Sequence, residues 1–260
     1  MNTCKKYSAF LMIISFAFIS CNKTPVTGTI VPGKVYSYFN HPDLQNTDGN
    51  FLYQAFNLNN DSTIKNAALL SGNFYTVSTM TYGVGGSANI AGYNVAPGSN
   101  QLYGLGYDSL YGKIISYNIT TPTNEGNAVL TGSFYSPSPI YATNIPKGTP
   151  VYIQPNSTFS ITWNADANNT NGVNINAQYW PTQFGNNALA AKGDSLYIEN
   201  SMMIPDNGSN PVPASFFSKF PSGAVLQIFV GRGNAVYVQS GKYIYLISGF
   251  FSSSFFVIKK

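Results

Sequence analysis

The sequence is poor in the residues on which most enzyme sites and metal sites depend. Its 260 residues include one histidine, His41, one arginine, Arg232, and two cysteines, Cys4 and Cys21. A zinc site needs several His or Cys ligands, and a Ser-His-Asp triad would depend on His41 alone. Only 8% of the residues are charged. Charge this sparse argues against the basic surface that nucleic-acid binding requires.

Acidic residues are equally scarce, and their neighbours favour turns over catalysis. Most of the nine stand beside Gly, Asn or Ser, where aspartate commonly forms turns. Asp166 with Asp206 or Glu199 would supply two carboxyl groups for glycoside hydrolysis, but no pattern brings them together. Asp166 also begins a stretch similar to a calcium loop, but Ala177 stands where a bidentate acid would close it. We therefore expect no enzyme activity, no cofactor and no bound metal.

The first 21 residues have the layout of a cleaved secretory signal. Lys5 and Lys6 precede an apolar run over residues 9–19, and the small residue Ser20 stands directly before Cys21. A membrane-spanning helix needs about 20 apolar residues, and this run is far shorter. The pattern therefore predicts removal of the segment.

The segment 18–21 resembles the lipobox of bacterial lipoproteins, with Phe18 in place of the usual leucine. The resemblance implies that residues 1–20 are removed and that Cys21 is acylated as the new first residue. Two or three acyl chains hold a protein on a membrane, because each buried methylene contributes about 0.8 kcal/mol. Cys4 leaves with the leader, so the mature chain is expected to contain no disulfide and no reactive thiol.

The residues after Cys21 predict the outer membrane. In enteric bacteria an aspartate after the lipidated cysteine marks retention in the inner membrane, and this chain has Asn22 there. Many Bacteroidota surface lipoproteins carry an acidic cluster downstream, whereas the first acid of this chain after Cys21 is Asp43. The sequence leaves open whether the protein faces the periplasm or the exterior.

Composition predicts an all-β protein. Tyr and Phe number 19 and 18, while Lys, Glu and Arg are few. The mature part is long enough for two domains. We predict a signal peptide over residues 1–20, a tether over 21–33, an N-terminal β domain over 34–147 and a C-terminal β-sandwich over 148–260.

The C-terminal part shows the period of two that is typical of half-buried antiparallel strands. Apolar and polar side chains alternate over residues 159–163 and 173–179. Asn171-Gly172 predicts a tight hairpin between them, because both residues tolerate a positive φ. Turn residues occupy 205–208 and 240–241. Further strands are predicted at residues 195–199, 225–230, 235–239, 243–247 and 255–258.

Four segments of this part resemble an immunoglobulin-like domain found at the C-terminus of many Bacteroidota lipoproteins. The segments are residues 162–166, 171–173, 205–209 and 231–234. The resemblance covers roughly the last 115 residues and implies an immunoglobulin-like sandwich there and an envelope setting, but no activity and no site. Together with the N-terminal β domain, the predicted fold is two antiparallel, immunoglobulin-like β-sandwich domains in series. It also implies a buried core position for Trp163, without the disulfide that usually packs against such a tryptophan.

Residues 68–76 and 128–136 look alike over nine positions. The likeness fits either two equivalent strands of one sheet or coincidence in a chain rich in Tyr, Phe and Ser. With the strand-like residues 100–105, it leaves a short β-propeller open as the alternative architecture.

Three side chains are candidates for a binding surface. Tyr179 and Trp180 lead from a strand into a loop, and sugars bind readily to exposed faces of such rings. The alternative is that the rings fill the core. Arg232 stands between two glycines at a predicted strand end, where its planar fork could meet a ligand carboxylate. The alternative there is a local salt bridge to an acid such as Asp206.

Taken together, these features predict a non-catalytic, lipid-anchored cell-envelope protein with a binding, adhesion or structural role. The alternative is a glycan-binding accessory lipoprotein that uses exposed aromatic rings. The expected partners are the membrane, through the lipid on Cys21, and a glycan or another envelope protein; nucleic acid is not expected.

Overall fold

A computed structural model describes most of the chain after residue 33. The described residues are 34–40, 49–57, 69–76, 81–82, 87–95, 99–102, 110–121, 128–145, 151–154, 156–240 and 243–260. The predicted signal peptide, Cys21, the tether and His41 lie outside these ranges.

The described chain is all-β, as predicted. Its strands, in chain order, are β1 (Lys34–Ser37), β2 (Gly49–Asn57), β3 (Leu69–Thr76), β4 (Thr81–Tyr82), β5 (Ser87–Ile90), β6 (Tyr93–Val95), β7 (Ser99–Leu102), β8 (Lys113–Thr121), β9 (Ala128–Ser136), β10 (Val151–Ile153), β11 (Phe159–Thr162), β12 (Val173–Tyr179), β13 (Ile198–Ile204), β14 (Ser209–Val212), β15 (Val225–Ser240) and β16 (Tyr243–Lys259). One short helix, α1 (Asn187–Ala190), and 3₁₀ turns at Tyr38–Asn40 and Ala214–Phe217 accompany them.

The largest sheet has the strand order β13-β12-β15-β16-β2-β3-β4. Three further strands pair at its sides, β1 with β15, β10 with β16 and β7 with β3. Both β2 and β10 run parallel to β16, although only antiparallel pairs were predicted. This sheet takes strands from both sides of residue 147, where the predicted domain boundary lies; the boundary itself stays a prediction.

Two smaller sheets accompany the large one, β11-β14 and β6-β5-β8-β9. The similar segments 68–76 and 128–136 supply β3 and β9, which lie in different sheets, so their equivalence within one sheet is wrong. The sheets also do not form the four-stranded blades of a propeller.

A single long hairpin replaces four predicted strands near the C-terminus. Its register runs without interruption from Val225 opposite Ile258 to Ser240 opposite Tyr243, so the predicted strand end at residues 231–234 is wrong. The glycines there permit close packing instead of a turn. A Cβ on Gly231 would lie 2.7 Å from Cζ of Phe39, and one on Gly233 would collide with Phe250.

The predicted hairpin between residues 159–163 and 173–179 is also wrong. β11 pairs with β14, whereas β12 lies between β13 and β15 in the large sheet. Residues 163–172 therefore cross from one sheet to another. Within this crossover the buried Asn169 donates its amide to the carbonyl of Gly172, whose φ is 81°. The turn at Gly172 has the positive φ that the sequence predicted, Asn171 does not, and the turn serves a connection between sheets.

Apolar side chains between Phe51 and Val257 form one core cluster. Trp163 is 3% exposed, which confirms its predicted burial. Ile175, Ala177 and Tyr179 point into this core from one face of β12, in the alternation that the sequence predicted. The other face of β12 is therefore free to carry polar side chains.

Candidate functional site

The face of the large sheet that points away from the core carries a mixture of amides, aromatic rings and one carboxylate. On β12 it presents Asn176 and Gln178, and Trp180 follows on the same side by alternation. The register places Gln178 opposite Glu199 of β13 and Gln227 of β15. We call this surface the outer face; its members, on β12, β13, β15, β16 and the adjoining loops, are Asn176, Gln178, Trp180, Phe184, Tyr197, Glu199, the buried Gln227 and Phe256.

The first aromatic pair of the outer face joins Trp180 and Tyr197. Their ring centroids are 4.6 Å apart and the planes meet at 55°. Tyr197 is 43% exposed and Trp180 is half-buried. The indole N–H of Trp180 donates to Oε1 of Gln178 at 3.3 Å, which fixes the ring against the sheet. The pair offers a fixed, partly solvated apolar surface.

A clamped carboxylate lies beside this pair. Oε2 of Glu199 accepts the hydroxyl of Tyr197 at 2.9 Å, and Oε1 accepts the side-chain amide of Asn176. Burial raises the pKa of Tyr197 strongly, and the charge and hydrogen bond of Glu199 raise it further, so the hydroxyl stays a donor. The carbonyl oxygen of the Asn176 amide is buried and has no hydrogen-bond partner. The cluster thus contains an acceptor that lacks a donor.

The second aromatic pair joins Phe184 and Phe256. Their centroids are 4.8 Å apart with planes at 51°, and Phe184 is 41% exposed. Phe184 has a φ of 57°, a left-handed conformation that is rare for a bulky residue. The chain holds this strained conformation between β12 and α1, where it places an aromatic ring against the outer face.

Of the three predicted binding residues, the outer face contains Trp180. Tyr179 is fully buried, and its hydroxyl donates to the carbonyl of Asp194 at 2.8 Å, in line with the core alternative. Arg232 is also fully buried and forms a 2.8 Å salt bridge with Asp206, the alternative that the sequence left open.

Arg232 belongs to an internal polar cluster on the core side of β15. Its Nε and Nη2 donate to the carbonyls of Ser138 and Pro139 at 2.7 and 2.8 Å. Asp206 also accepts the indole N–H of Trp163 at 2.8 Å. The guanidinium therefore ties the segment after β9 to the C-terminal strands.

Asp166 is the second buried carboxylate near Arg232. It accepts the backbone N–H of Ser138 at 2.7 Å and the hydroxyl of Tyr135 at 2.9 Å. Burial alone would raise the pKa of Asp166, but these donors, the Asn168 N–H and the charge of Arg232 lower it overall. The two aspartates serve internal contacts, while Glu199 lies on the opposite side of the sheet. Among the described residues, no three His, Cys, Asp or Glu side chains are grouped as a metal ion would need.

Sequence reasoning missed Tyr197, Phe184 and Phe256, and it considered Glu199 only as a carboxylate for glycoside hydrolysis. The strand predicted at residues 195–199 extends over 198–204, and its pairing with β12 decides which side chains share the outer face. Phe184 gave no periodic signal because it lies in a loop.

Neither a protein-family model nor a curated protein matches this sequence. Within the part of the chain that the structure covers, no helix has the length and apolar character needed to cross a membrane. The residues of the outer face therefore carry the indications of function.

Proposed function

We propose that this chain is a non-catalytic, lipid-anchored cell-envelope protein that binds its partner through the outer face. The observation that carries the binding role is the combination of two solvated aromatic pairs with a clamped carboxylate on one sheet face. Polar residues on a sheet exterior need no such organisation for solubility alone.

Anchoring through Cys21 is the part of this proposal that rests on the sequence of residues 18–21. Metabolic labelling with an alkyne fatty acid should mark the wild-type protein and leave Cys21→Ser unlabelled. Label retained on the serine variant would contradict the anchor. Fractionation should place the wild type in the outer membrane, and protease treatment of intact cells decides between the periplasm and the exterior.

We further propose that residues 148–260 form an immunoglobulin-like sandwich. The support is that β11 and β14 form a separate small sheet while Trp163, next to β11, packs in the shared core. Strands β1 and β2 join the large sheet from outside this range, so the proposal requires that residues 148–260 fold without them. A fragment of residues 148–260 that unfolds cooperatively would show an independent domain, whereas a fragment without such a transition would contradict the predicted boundary.

The binding role is tested with isolated envelope preparations and purified full-length protein. Replacing Trp180 and Tyr197 together with alanine should weaken saturable binding at least about tenfold, as loss of a central aromatic anchor does. The matched control replaces Ile114 and Val129, which are 70% and 58% exposed on the four-stranded sheet, with alanine. Equal affinities of both double variants and wild type would contradict binding through the outer face.

A further inference from the structure

We propose that the outer face is a glycan-binding groove in which the Trp180–Tyr197 and Phe184–Phe256 pairs hold two sugar rings of one neutral glycan. This inference rests on the proposed function, because it names the ligand of the same face. The polar side chains beside the Trp180–Tyr197 pair would bind the hydroxyl groups of the glycan.

The two pairs have the chemistry that a sugar ring requires. A pyranose has an apolar face of C–H groups and a rim of hydroxyls, and it packs on aromatic rings that are partly solvated and fixed in place. Tyr197 and Phe184 are each close to two-fifths exposed, while Trp180 and Phe256 are half-buried beneath them. Each pair therefore offers one accessible ring supported by a second one.

The strand register sets the distance between the pairs. Gln178, which accepts the Trp180 indole N–H, lies opposite Gln227, and Gln227 lies opposite Phe256 on the next strand. Neighbouring strands are about 4.8 Å apart, so Gln178 and Phe256 are separated by roughly 10 Å across the sheet, and Trp180, two residues further along the chain, lies beyond that distance. Two sites at this spacing suit two rings of a single oligosaccharide chain.

The hydrogen-bonding groups at the first pair favour a ligand that donates hydrogen bonds. The Asn176 side-chain oxygen is a buried acceptor without a protein partner, and a ligand hydroxyl that reached it would supply the missing O–H donor. Glu199 already accepts from Asn176 and Tyr197 through its two oxygens.

Charge near the groove favours a neutral ligand. Lys219 donates to the backbone carbonyl of Glu199 at 3.4 Å, while the Glu199 carboxylate accepts from Asn176 and Tyr197 beside the first pair. An anionic glycan would be repelled by this carboxylate, whereas a neutral glycan would not.

The backbone conformation of Phe184 is a separate indication that its ring contacts a ligand. A bulky residue in the left-handed region is strained, and such strain persists where the position of the side chain matters. Gly185 follows with a φ of 88°, a conformation that glycine adopts freely, so the strain falls on the phenylalanine. A glycine at position 184 would avoid this strain. The chain instead has an aromatic ring there, which packs against Phe256 and is partly exposed, as expected of a ring that contacts a ligand.

The groove is tested by fluorescence titration of the full-length protein in a non-glycosidic detergent. Only Trp163, buried, and Trp180, half-exposed, contribute tryptophan emission, so a ligand on the outer face should change the Trp180 signal alone. The probes are the neutral hexasaccharides of glucose, xylose, mannose and N-acetylglucosamine, with hexagalacturonate and trilysine as the anionic and cationic comparisons. We expect saturable binding of at least one neutral hexasaccharide, weaker binding of its monosaccharide, and no signal change in Trp180→Phe.

Two variants test whether Phe184 of the second pair binds the ligand or only supports the fold. Phe184→Gly removes both the ring and the strain, so it should weaken hexasaccharide binding at least about tenfold while giving a higher melting temperature than Phe184→Ala. Phe184→Ala should weaken binding equally but keeps a side chain in the left-handed conformation. Unchanged affinity in both variants would overturn the role of Phe184, and no saturable response to any neutral probe would overturn the glycan groove.

Treatment of the envelope preparation keeps this inference distinct from the proposed function. Periodate, which cleaves the vicinal diols of sugars, should abolish binding of the protein to the envelope, and protease should leave it intact. Binding that survives periodate but not protease, and still depends on Trp180 and Tyr197, would keep the binding role and overturn the glycan. Binding that is indifferent to Trp180 and Tyr197 would overturn both.

Discussion

The two sides of the large sheet carry two polar clusters with opposite organisation. On the core side, Arg232 and Asp206 are completely buried, and the guanidinium is held by a carboxylate and two backbone carbonyls. On the outer face, Glu199 is fixed by Tyr197 and Asn176, but rings remain solvated and one acceptor is unpaired. The core cluster uses its charges for internal contacts, whereas the outer face keeps surface that a ligand can contact.

Removal of the buried guanidinium should cause the largest loss of stability and therefore tests this comparison most directly. Arg232→Leu leaves the Asp206 carboxylate buried without its partner and should lower the free energy of unfolding by about 3–5 kcal/mol. Urea denaturation measures this, with the exposed Lys192→Met as a control that should change stability by less than about 0.5 kcal/mol. A loss below about 1 kcal/mol for Arg232→Leu would mean that the core cluster is not a structural unit.

A smaller loss is expected from the indole that binds the same aspartate. Trp163→Phe keeps an aromatic ring in the core but removes the N–H that donates to Asp206 at 2.8 Å. A hydrogen bond to a charged group contributes about 1.5–3 kcal/mol, and the free energy of unfolding should fall by that amount. In the background of Asp206→Asn the same substitution should cost less. Equal losses in both backgrounds would show that the indole and the carboxylate are not coupled.

Acid sensitivity follows from Asp166 on the core side. Its pKa is lowered in the folded protein from the usual 3.8, so the unfolded chain takes up a proton at a higher pH than the folded one. The stabilisation is complete well above pH 4 and is lost as the pH falls through the lowered folded pKa. Asp166→Asn should flatten the acid side of the stability profile measured by urea denaturation. A profile that is as steep in the variant would assign the acid sensitivity to other groups.

The sequence predicted which face of a strand each side chain lies on better than it predicted which strands pair. Alternation in residues 173–179 placed Tyr179 with Ile175 and Ala177, and all three are buried in the core. Trp180, one residue on, therefore had to lie on the other side. The pattern carries this information because side chains alternate with a period of two whatever strand lies next to them.

The partners could not be predicted because they depend on contacts between distant residues. Nothing local distinguishes a hairpin at Asn171-Gly172 from a crossover between sheets. The glycines around Arg232 indicated a strand end, although they allow close packing against Phe39 and Phe250 within a continuous strand. The outer face depends on the register of β12 against β13 and β15, so Glu199 and Tyr197 were invisible as a site. The local sequence indicated single candidate residues such as Trp180. Only the pairing of the strands shows which residues lie next to one another.

The smallest stability change is expected where the comparison predicts the largest change in binding. Trp180 is half-buried on the outer face, and its ring contact with Tyr197 is worth about 0.5–1.5 kcal/mol beyond the area it covers. Trp180→Ala leaves no cavity in the core, so the free energy of unfolding should fall by about 1 kcal/mol or slightly more. The same variant should bind the envelope preparation at least about tenfold more weakly. A stability loss near that of Arg232→Leu, with binding unchanged, would show that the indole supports the fold as the core cluster does, and the two sides of the sheet would then not differ in function.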